Sequence, residues 1–312
     1  MSQHSSATLQ KSPLLSTKAG LGWGLLGVLA FSFTLPLTRI AVGDGGDGGM
    51  SPLFIGAARA VIAAVLAALA LALTRQKLPH GRQWLRLGMV AGGVVLGFPL
   101  LTSFALTSSP ASHGAVVVGL LPAATAVAAV LRGRERPPVS FWLTAAAGAG
   151  AVVTFAAVSG GGLGGLHLAD LLLFGAVLAG AAGYAEGGLL ARELGAWQTV
   201  SWALVLVSPL MIGLTTAAAL RQPPSGTTGE WAALAYLGMV SMFLGFFAWY
   251  RGLAIGPMAQ VSQVQLVQPV LSLCWAALLL NERLGWATLL GGAAVIACAG
   301  VSVRMRRRRA AG

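Results

Sequence analysis

The chain has 312 residues, and only 9% of them are charged, against roughly 25% in a typical soluble domain. Apolar residues make up 56% and the mean hydropathy is +0.81, which leaves room for about ten membrane spans of roughly 20 residues. This composition excludes a soluble globular domain and a disordered chain, and the length of the apolar runs excludes an outer-membrane barrel. It predicts an all-α integral membrane protein.

In chain order, the apolar runs predict ten transmembrane helices. A polar, Ser-rich tail precedes the first run, which is longer than the apolar core of a secretory signal, so we expect that run to be retained. The expected spans are 20–41, 52–73, 87–106, 113–131, 141–158, 168–190, 200–220, 231–250, 258–280 and 285–303.

The net charge of +12 predicts the orientation of these spans and no nucleic-acid partner, because the basic residues lie between apolar runs. Sixteen of the 20 Lys and Arg residues lie in the tails and loops on one side of the predicted bundle, and only Arg221 and Arg283 lie on the other. Short loops rich in Lys and Arg stay in the cytoplasm. The sequence therefore predicts a multi-pass protein of the cell inner (plasma) membrane with both termini cytoplasmic.

The two halves of the chain resemble each other. Leu-Gly-Met-Val at 87–90 recurs at 237–240, and Leu-Gly-Phe at 96–98 recurs at 244–246. Each half would hold five spans, an odd number, so the second would enter the membrane upside down and permit alternating access. The predicted organisation is a polar cytoplasmic tail at 1–18, a first repeat at 19–160, a second repeat at 167–304 and a basic cytoplasmic tail at 305–312.

A longer series of matches carries a family resemblance. Pro110, Pro122 and Glu135 recur 147 residues later as Pro257, Pro269 and Glu282. The neighbouring segments that add to the match are 105–110, 134–136, 253–257, 278–284 and 291–292, with Pro52 followed by Arg59. With these residues the chain resembles the EamA-type transporters of the drug/metabolite transporter superfamily. The resemblance implies ten helices in two inverted repeats, and efflux of small organic metabolites or amphipathic compounds by secondary active transport. Pro122, Pro269, Glu135 and Glu282 are then expected to be structural or gating residues.

The ninth predicted span carries polar residues at steps of three and four, which places them on one helix face. They are Ser262, Gln265, Gln268, Pro269 and Ser272. We expect this face to line a substrate cavity near the middle of the membrane, although hydrogen bonding between helices is the alternative. The equivalent fourth span is almost purely apolar, so the cavity would be one-sided and suited to an amphipathic or aromatic substrate.

Three ionisable residues fall within predicted spans, where charge is costly. Glu186 could bind a cationic group or relay a proton, or it could be a carboxylate paired at the membrane interface. Arg59 is expected to be structural first, paired with carbonyls or a carboxylate inside the bundle, and substrate-binding second. Arg39 lies near a helix end, where its side chain is expected to reach the headgroups.

Aromatic and imidazole side chains supply the remaining candidates. Tyr184 and Trp275 could stack on a substrate, but packing is the favoured interpretation. His113 could act as a pH-sensitive gate or be simply hydrated at the membrane surface. Cys274 and Cys298 lie inside spans and form no disulfide or metal motif, so we expect no metal and no cofactor.

Motifs for catalysis are missing from the sequence: the glycine run at 160–165 lacks the ending of a phosphate loop, and neither HExxH nor GxSxG occurs. We therefore expect no enzyme, and secondary rather than ATP-driven transport. The alternatives are a non-transporting receptor or scaffold and, less favoured, a membrane-embedded enzyme. The expected partners are a small-molecule substrate and the lipid bilayer, with proton or ion coupling and a homodimer left open.

Overall fold

A computed structural model describes residues 13–43, 50–133, 139–159, 167–255, 261 and 264–310, and in these ranges the only regular structure is helical. The first repeat contains α1 (Pro13–Ser32), α2 (Thr34–Val42), α3 (Pro52–Leu73), α4 (Arg82–Val90), a π-helical segment (Ala91–Gly97), α5 (Phe98–Ala105), α6 (Ala111–Val118), α7 (Leu121–Gly133) and α8 (Val139–Ser159). The second contains α9 (Leu168–Leu194), α10 (Ala196–Arg221), α11 (Thr228–Tyr236), a π-helical segment (Leu237–Gly245), α12 (Phe246–Ile255), a 3₁₀ turn (Gln265–Val267), α13 (Gln268–Leu280) and α14 (Trp286–Ala310).

Eight helical segments in the described residues are long and apolar enough to cross a membrane. They correspond in order to the first eight predicted spans, but four are clearly longer than expected. The third begins at Arg82, the sixth ends at Leu194, the seventh begins at Ala196, and the eighth extends over Thr228–Ile255. Two shorter apolar helices, Gln265–Leu280 and Trp286–Val301, follow where the ninth and tenth spans were expected. The chain is thus a multi-pass membrane protein, and the count of ten spans stays a prediction.

Equivalent spans of the two repeats are interrupted at the same place. π-helical turns occupy Ala91–Gly97 in one repeat and Leu237–Gly245 in the other, and each is followed directly by a phenylalanine. In the first repeat Pro99 lacks the N–H that a regular α-helix needs, which favours the wider hydrogen-bond pattern. Such segments are frequent at functional sites.

The repeats pack into each other rather than folding as separate units. α3 packs on α10 and α8 packs on α14, so equivalent helices of the two repeats are partners. Likewise α1 packs on α12, and α9 packs on the equivalent span of the first repeat, which contains α4 and α5. The interior of the bundle is therefore formed jointly by both repeats.

Glycines allow two of these equivalent helix crossings to be close. A methyl group at Gly93 would lie 2.8 Å from the Cα of Gly183 in α9, and one at Gly252 would lie 3.0 Å from the Cα of Gly24 in α1. At the neighbouring Gly92, by contrast, an added methyl group would meet no atom within 4 Å. Small residues bring helices together in membranes because they permit backbone contact.

Side-chain caps fix where several helices begin at the bundle end opposite the basic loops. The Ser51 hydroxyl accepts a hydrogen bond from the Phe54 amide at 3.2 Å, and Pro52 then opens α3. Thr227 and Glu230 form a reciprocal capping box at the start of α11. These caps fix the first turns of α3 and α11.

Candidate functional site

A narrow central cavity lies between the two repeats; the space between atoms there, including the part open to its surroundings, is about 460 Å³. The first repeat supplies Phe31, Thr34, Leu35, Arg59, Val94, Phe98 and Pro99, and the second supplies Tyr184, Ser241, Met242, Phe246 and Gln268. An inverted-repeat transporter places its substrate at such a joint surface. The cavity is mainly apolar, with one cation and a few hydroxyl and amide groups.

The π-helical interruptions, with the phenylalanine that follows each of them, contribute equivalent residues to the lining of this cavity. Val94 and Phe98 come from the first repeat, and Met242 and Phe246, each 148 residues later, come from the second. Sequence reasoning did not identify these four as site residues. The sequence did contain a signal for two of them, because the repeated Leu-Gly-Phe motif ends in Phe98 in the first repeat and in Phe246 in the second.

A smaller cavity adjoins the central one and shares Leu35 and Gln268 with it. One wall contains Val118, Leu121 and Pro122, and the other contains the residues 147 positions later, which are Gln265, Gln268 and Pro269. The cavity is polar on one side, as expected: the residues from the fourth predicted span are apolar, whereas those from the ninth include two amides. α7 and α13 both begin at this cavity, with Pro122 and Pro269 in their first turns.

The two amides of this wall face the cavity with unused hydrogen-bonding atoms. Gln265 is 3% exposed and Gln268 is 7% exposed, and the Gln265 Nε2 and the Gln268 Oε1 have no partner among the described residues. Ser272 differs, because its hydroxyl donates to the Ser32 carbonyl at 2.8 Å and so joins two helices. Ser262 lies outside the described residues.

The aromatic candidates divide between the cavity and the packing around it. Tyr184 lines the cavity and packs against Phe31 and Phe246, with ring centroids 6.4 and 5.8 Å away. Trp275 instead stacks on Phe33 with 4.3 Å between centroids, and its indole N–H donates to the Ser32 hydroxyl at 3.0 Å. Trp275 therefore occupies a packing position in the structure.

Arg59 lines the cavity and is 1% exposed. Its guanidinium donates to two threonine hydroxyls, Thr38 at 3.4 Å and Thr102 at 3.2 Å. The sequence predicted a carbonyl or carboxylate partner, but among the described residues the partners are these hydroxyls. Arg39 also differs from expectation. It donates to the carbonyl of Leu106 at 2.8 Å at the end of α5, rather than only extending toward headgroups.

At the bundle end where the basic loops lie, Glu186 joins helices of both repeats. One of its carboxylate oxygens accepts from Arg86 of α4, and the other accepts from the Arg132 Nε of α7 at 2.7 Å. Glu186 is 3% exposed, and Arg86 also donates to Glu193 at 2.5 Å. This is the arrangement that the paired-carboxylate alternative expects, with Arg86 and Arg132 as partners that the sequence did not identify.

At the opposite end of the bundle, Glu282 caps a helix of the other repeat. Its two carboxylate oxygens accept from the backbone N–H groups of Ala111 and Ser112, each at 2.8 Å, at the start of α6. A negative charge there is favoured by the helix dipole. Its sequence equivalent, Glu135, lies outside the described residues.

His113 lies close to this cap and away from the cavity. Its Nε2 is 2.6 Å from a carboxylate oxygen of Asp170, the first-turn acid of α9, and both side chains are largely buried. The simple hydration expected from the sequence is therefore wrong, because the imidazole pairs across the two repeats. The fold makes this pairing, and nothing in the local sequence around either residue indicates it.

These features define a class: a multi-pass helical membrane protein whose two repeats enclose a cavity. The chain belongs to the EamA-like transporter family, whose model matches residues 18–157 and again 167–304. It is 44% identical over 296 residues to the protein named Uncharacterized transporter YdeK of Bacillus subtilis (strain 168), covering 92% of this chain and 98% of that relative. A solved structure described only as "Crystal structure of protein" shares the fold, with a TM-score of 0.63 and 19% identity over 94% of this chain and 99% of that chain. The family expected from the sequence is confirmed, and it is a family of transporters rather than enzymes.

Proposed function

We propose that the protein is a secondary active transporter that exports small organic metabolites or amphipathic compounds by alternating access. The observation that carries this proposal is the cavity between the repeats, with contacts between the two repeats at both ends of the bundle. A non-transporting scaffold has no need of unpaired amides buried beside such a cavity.

Alternating access requires one set of these contacts to break while the other holds. At the basic end the set is the pairing of Glu186 with Arg86 and Arg132. At the other end it is the Glu282 cap and the His113–Asp170 pair. Both sets are polar contacts across the repeat interface, so each end can exchange them for water when it opens.

The proposed setting is the cell inner (plasma) membrane, with five spans in each inverted repeat and both termini in the cytoplasm. The basic bias of the loops supports this orientation. It would make the Glu186 pairing the cytoplasmic contact and the Glu282 cap the external one. Coupling to a proton or another ion, and assembly as a homodimer, belong to the proposal only as open alternatives.

The test compares intracellular and extracellular metabolites of cells that overexpress the protein with those of cells that lack it. A compound that accumulates inside deletion cells and outside overexpressing cells is then offered to the purified protein in liposomes. Protein-dependent movement across the liposome membrane would support transport. Equal metabolite pools in the two strains, with no movement in liposomes, would contradict it and favour the receptor or scaffold.

A further inference from the structure

Arg59 is a buried cation whose pairing in the described structure is incomplete. It heads the set of largest fully buried side chains, and it is the one charged residue among those that line the central cavity in the described part of the chain. A charge inside a membrane protein normally faces a partner or a water-filled path. The question is which group neutralises it.

The protein groups around Arg59 are neutral and already engaged. Thr38 donates its hydroxyl to the Thr34 carbonyl at 2.6 Å, and Thr102 donates to the Phe98 carbonyl at 2.7 Å, so each offers Arg59 only a remaining lone pair. The Arg59 Nε has no hydrogen-bond partner among the described residues. A guanidinium has five N–H donors, and these two long bonds use few of them.

Acidic side chains in the described ranges are committed elsewhere. There are five. Asp170 pairs with His113, Glu186 with Arg86 and Arg132, and Glu193 with Arg86. Glu230 accepts from the Thr227 amide, and Glu282 accepts from the first N–H groups of α6. The equivalent helix of the second repeat, α10, carries no charged residue between its ends at Ala196 and Arg221. The cavity described here is therefore positive on one side and has no compensating carboxylate.

The other walls of the central cavity favour a substrate with an apolar body. They include three phenylalanines, Phe31, Phe98 and Phe246, beside aliphatic and hydroxyl side chains. The planar guanidinium matches a carboxylate, and the rings match an apolar body.

We propose that the transported substrate is an organic anion whose carboxylate or similar planar oxyanion binds Arg59 while its apolar body lies against the aromatic walls. This inference rests on the proposed transport function and names the substrate class. A substrate with one anionic group is compatible with the apolar character of the other walls. A cationic substrate would meet Arg59 without a compensating charge from the described lining residues.

The test uses three probes that share one aromatic ring and differ in charge: indole-3-acetate, indole-3-acetamide and tryptamine. The full-length protein in liposomes is expected to move the acetate at least about tenfold faster than the amide, after subtraction of protein-free liposomes. In detergent, the acetate is expected to raise the melting temperature at concentrations where the amide and the amine do not. Both measurements use the wild-type protein, so they do not depend on how a variant folds.

Variants at Arg59 assign any preference to this side chain. R59Q is expected to abolish the preference for the acetate, and R59K, which keeps the charge but loses the planar fork, to retain part of it. The matched control is R251Q, because Arg251 is an exposed cation whose guanidinium lies 5.2 Å from the Trp23 ring. R251Q is expected to leave the preference unchanged.

The outcomes separate this proposal from the transport function. Equal or faster movement of the amide or the amine would overturn the anion proposal and leave transport standing. A preference for the acetate that persists in folded R59Q would also overturn it. Movement of none of the three probes, with no thermal shift and no metabolite difference between strains, would overturn both.

Discussion

Replacing Glu186 with glutamine removes a charge that two arginines of the first repeat share. The Glu186 carboxylate is 3% exposed, whereas the side chains of Arg86 and Arg132 are 17% and 50% exposed. E186Q keeps the size of the side chain and some hydrogen bonding, but both arginines lose their ionic partner. We expect the variant to weaken closure of the basic end of the bundle.

The size of this effect follows from burial. Removing one partner of a fully buried ion pair costs about 3–5 kcal/mol, and exposed pairs contribute about 0–1 kcal/mol. Here the carboxylate is buried and the arginines are partly solvated, so we expect about 1–3 kcal/mol. A coupling free energy of this size changes the ratio of closed to open states roughly 5- to 150-fold.

The assay measures entry of a thiol reagent from the basic end. C274S and C298S remove the two native thiols, and V94C places a single thiol in the wall of the central cavity. A membrane-impermeant maleimide is expected to label V94C at least about fivefold faster when E186Q is present. The melting temperature of E186Q is expected to fall.

The matched control is E193Q, because Glu193 contacts the same Arg86 at 2.5 Å but is 48% exposed. We expect it to cost no more than about 1 kcal/mol and to leave labelling of V94C near the wild-type rate. Equal labelling in E186Q, E193Q and the parent would refute the gating role of Glu186. In that case, loss of gradient-driven accumulation with exchange retained in E186Q would identify a proton carrier instead.

Three further predictions concern the amides, the opposite end and the orientation. Q265A and Q268A are expected to change transport specificity or apparent affinity at normal protein abundance in the membrane, whereas loss of abundance alone would indicate helix–helix bonding. E282Q is expected to lower the free energy of unfolding by about 1 kcal/mol, because it removes the charge that caps two backbone N–H groups. R283Q, at the exposed neighbouring residue, is the control and is expected to leave the melting temperature unchanged. Equal melting temperatures for E282Q and R283Q would contradict a stabilising role for the Glu282 cap. A C-terminal reporter that is active only outside the cytoplasm is expected to stay silent, and strong activity would overturn the orientation.

The sequence predicted the local features of the fold well. Apolar runs located the first eight spans because a helix in lipid must be long and apolar along its whole length. The repeat offset of 147 residues correctly paired Pro122 with Pro269, which line the same cavity. Gln265 and Gln268, which the polar stripe placed on one helix face, are both buried in the structure.

The contacts between spans could not be predicted in the same way. Asp170 meets His113, and Arg132 meets Glu186, only because helices distant in sequence pack side by side. From the sequence alone, Arg132 is one of the sixteen basic tail and loop residues that indicate orientation. A single sequence records helix-face periodicity, but it carries no signal for which faces come together.

Access to Gln268 from each side of the membrane tests the central claim most directly. In protein without native thiols, Q268C is exposed to an impermeant maleimide in vesicles of either orientation, with and without a short bifunctional thiol crosslinker that joins R132C to E186C. Alternating access predicts that Q268C is labelled from both sides before crosslinking. After crosslinking, labelling from the basic side is expected to be lost, and labelling from the opposite side is expected to remain. Labelling from one side only before crosslinking, or unchanged labelling from the basic side after it, would contradict the account.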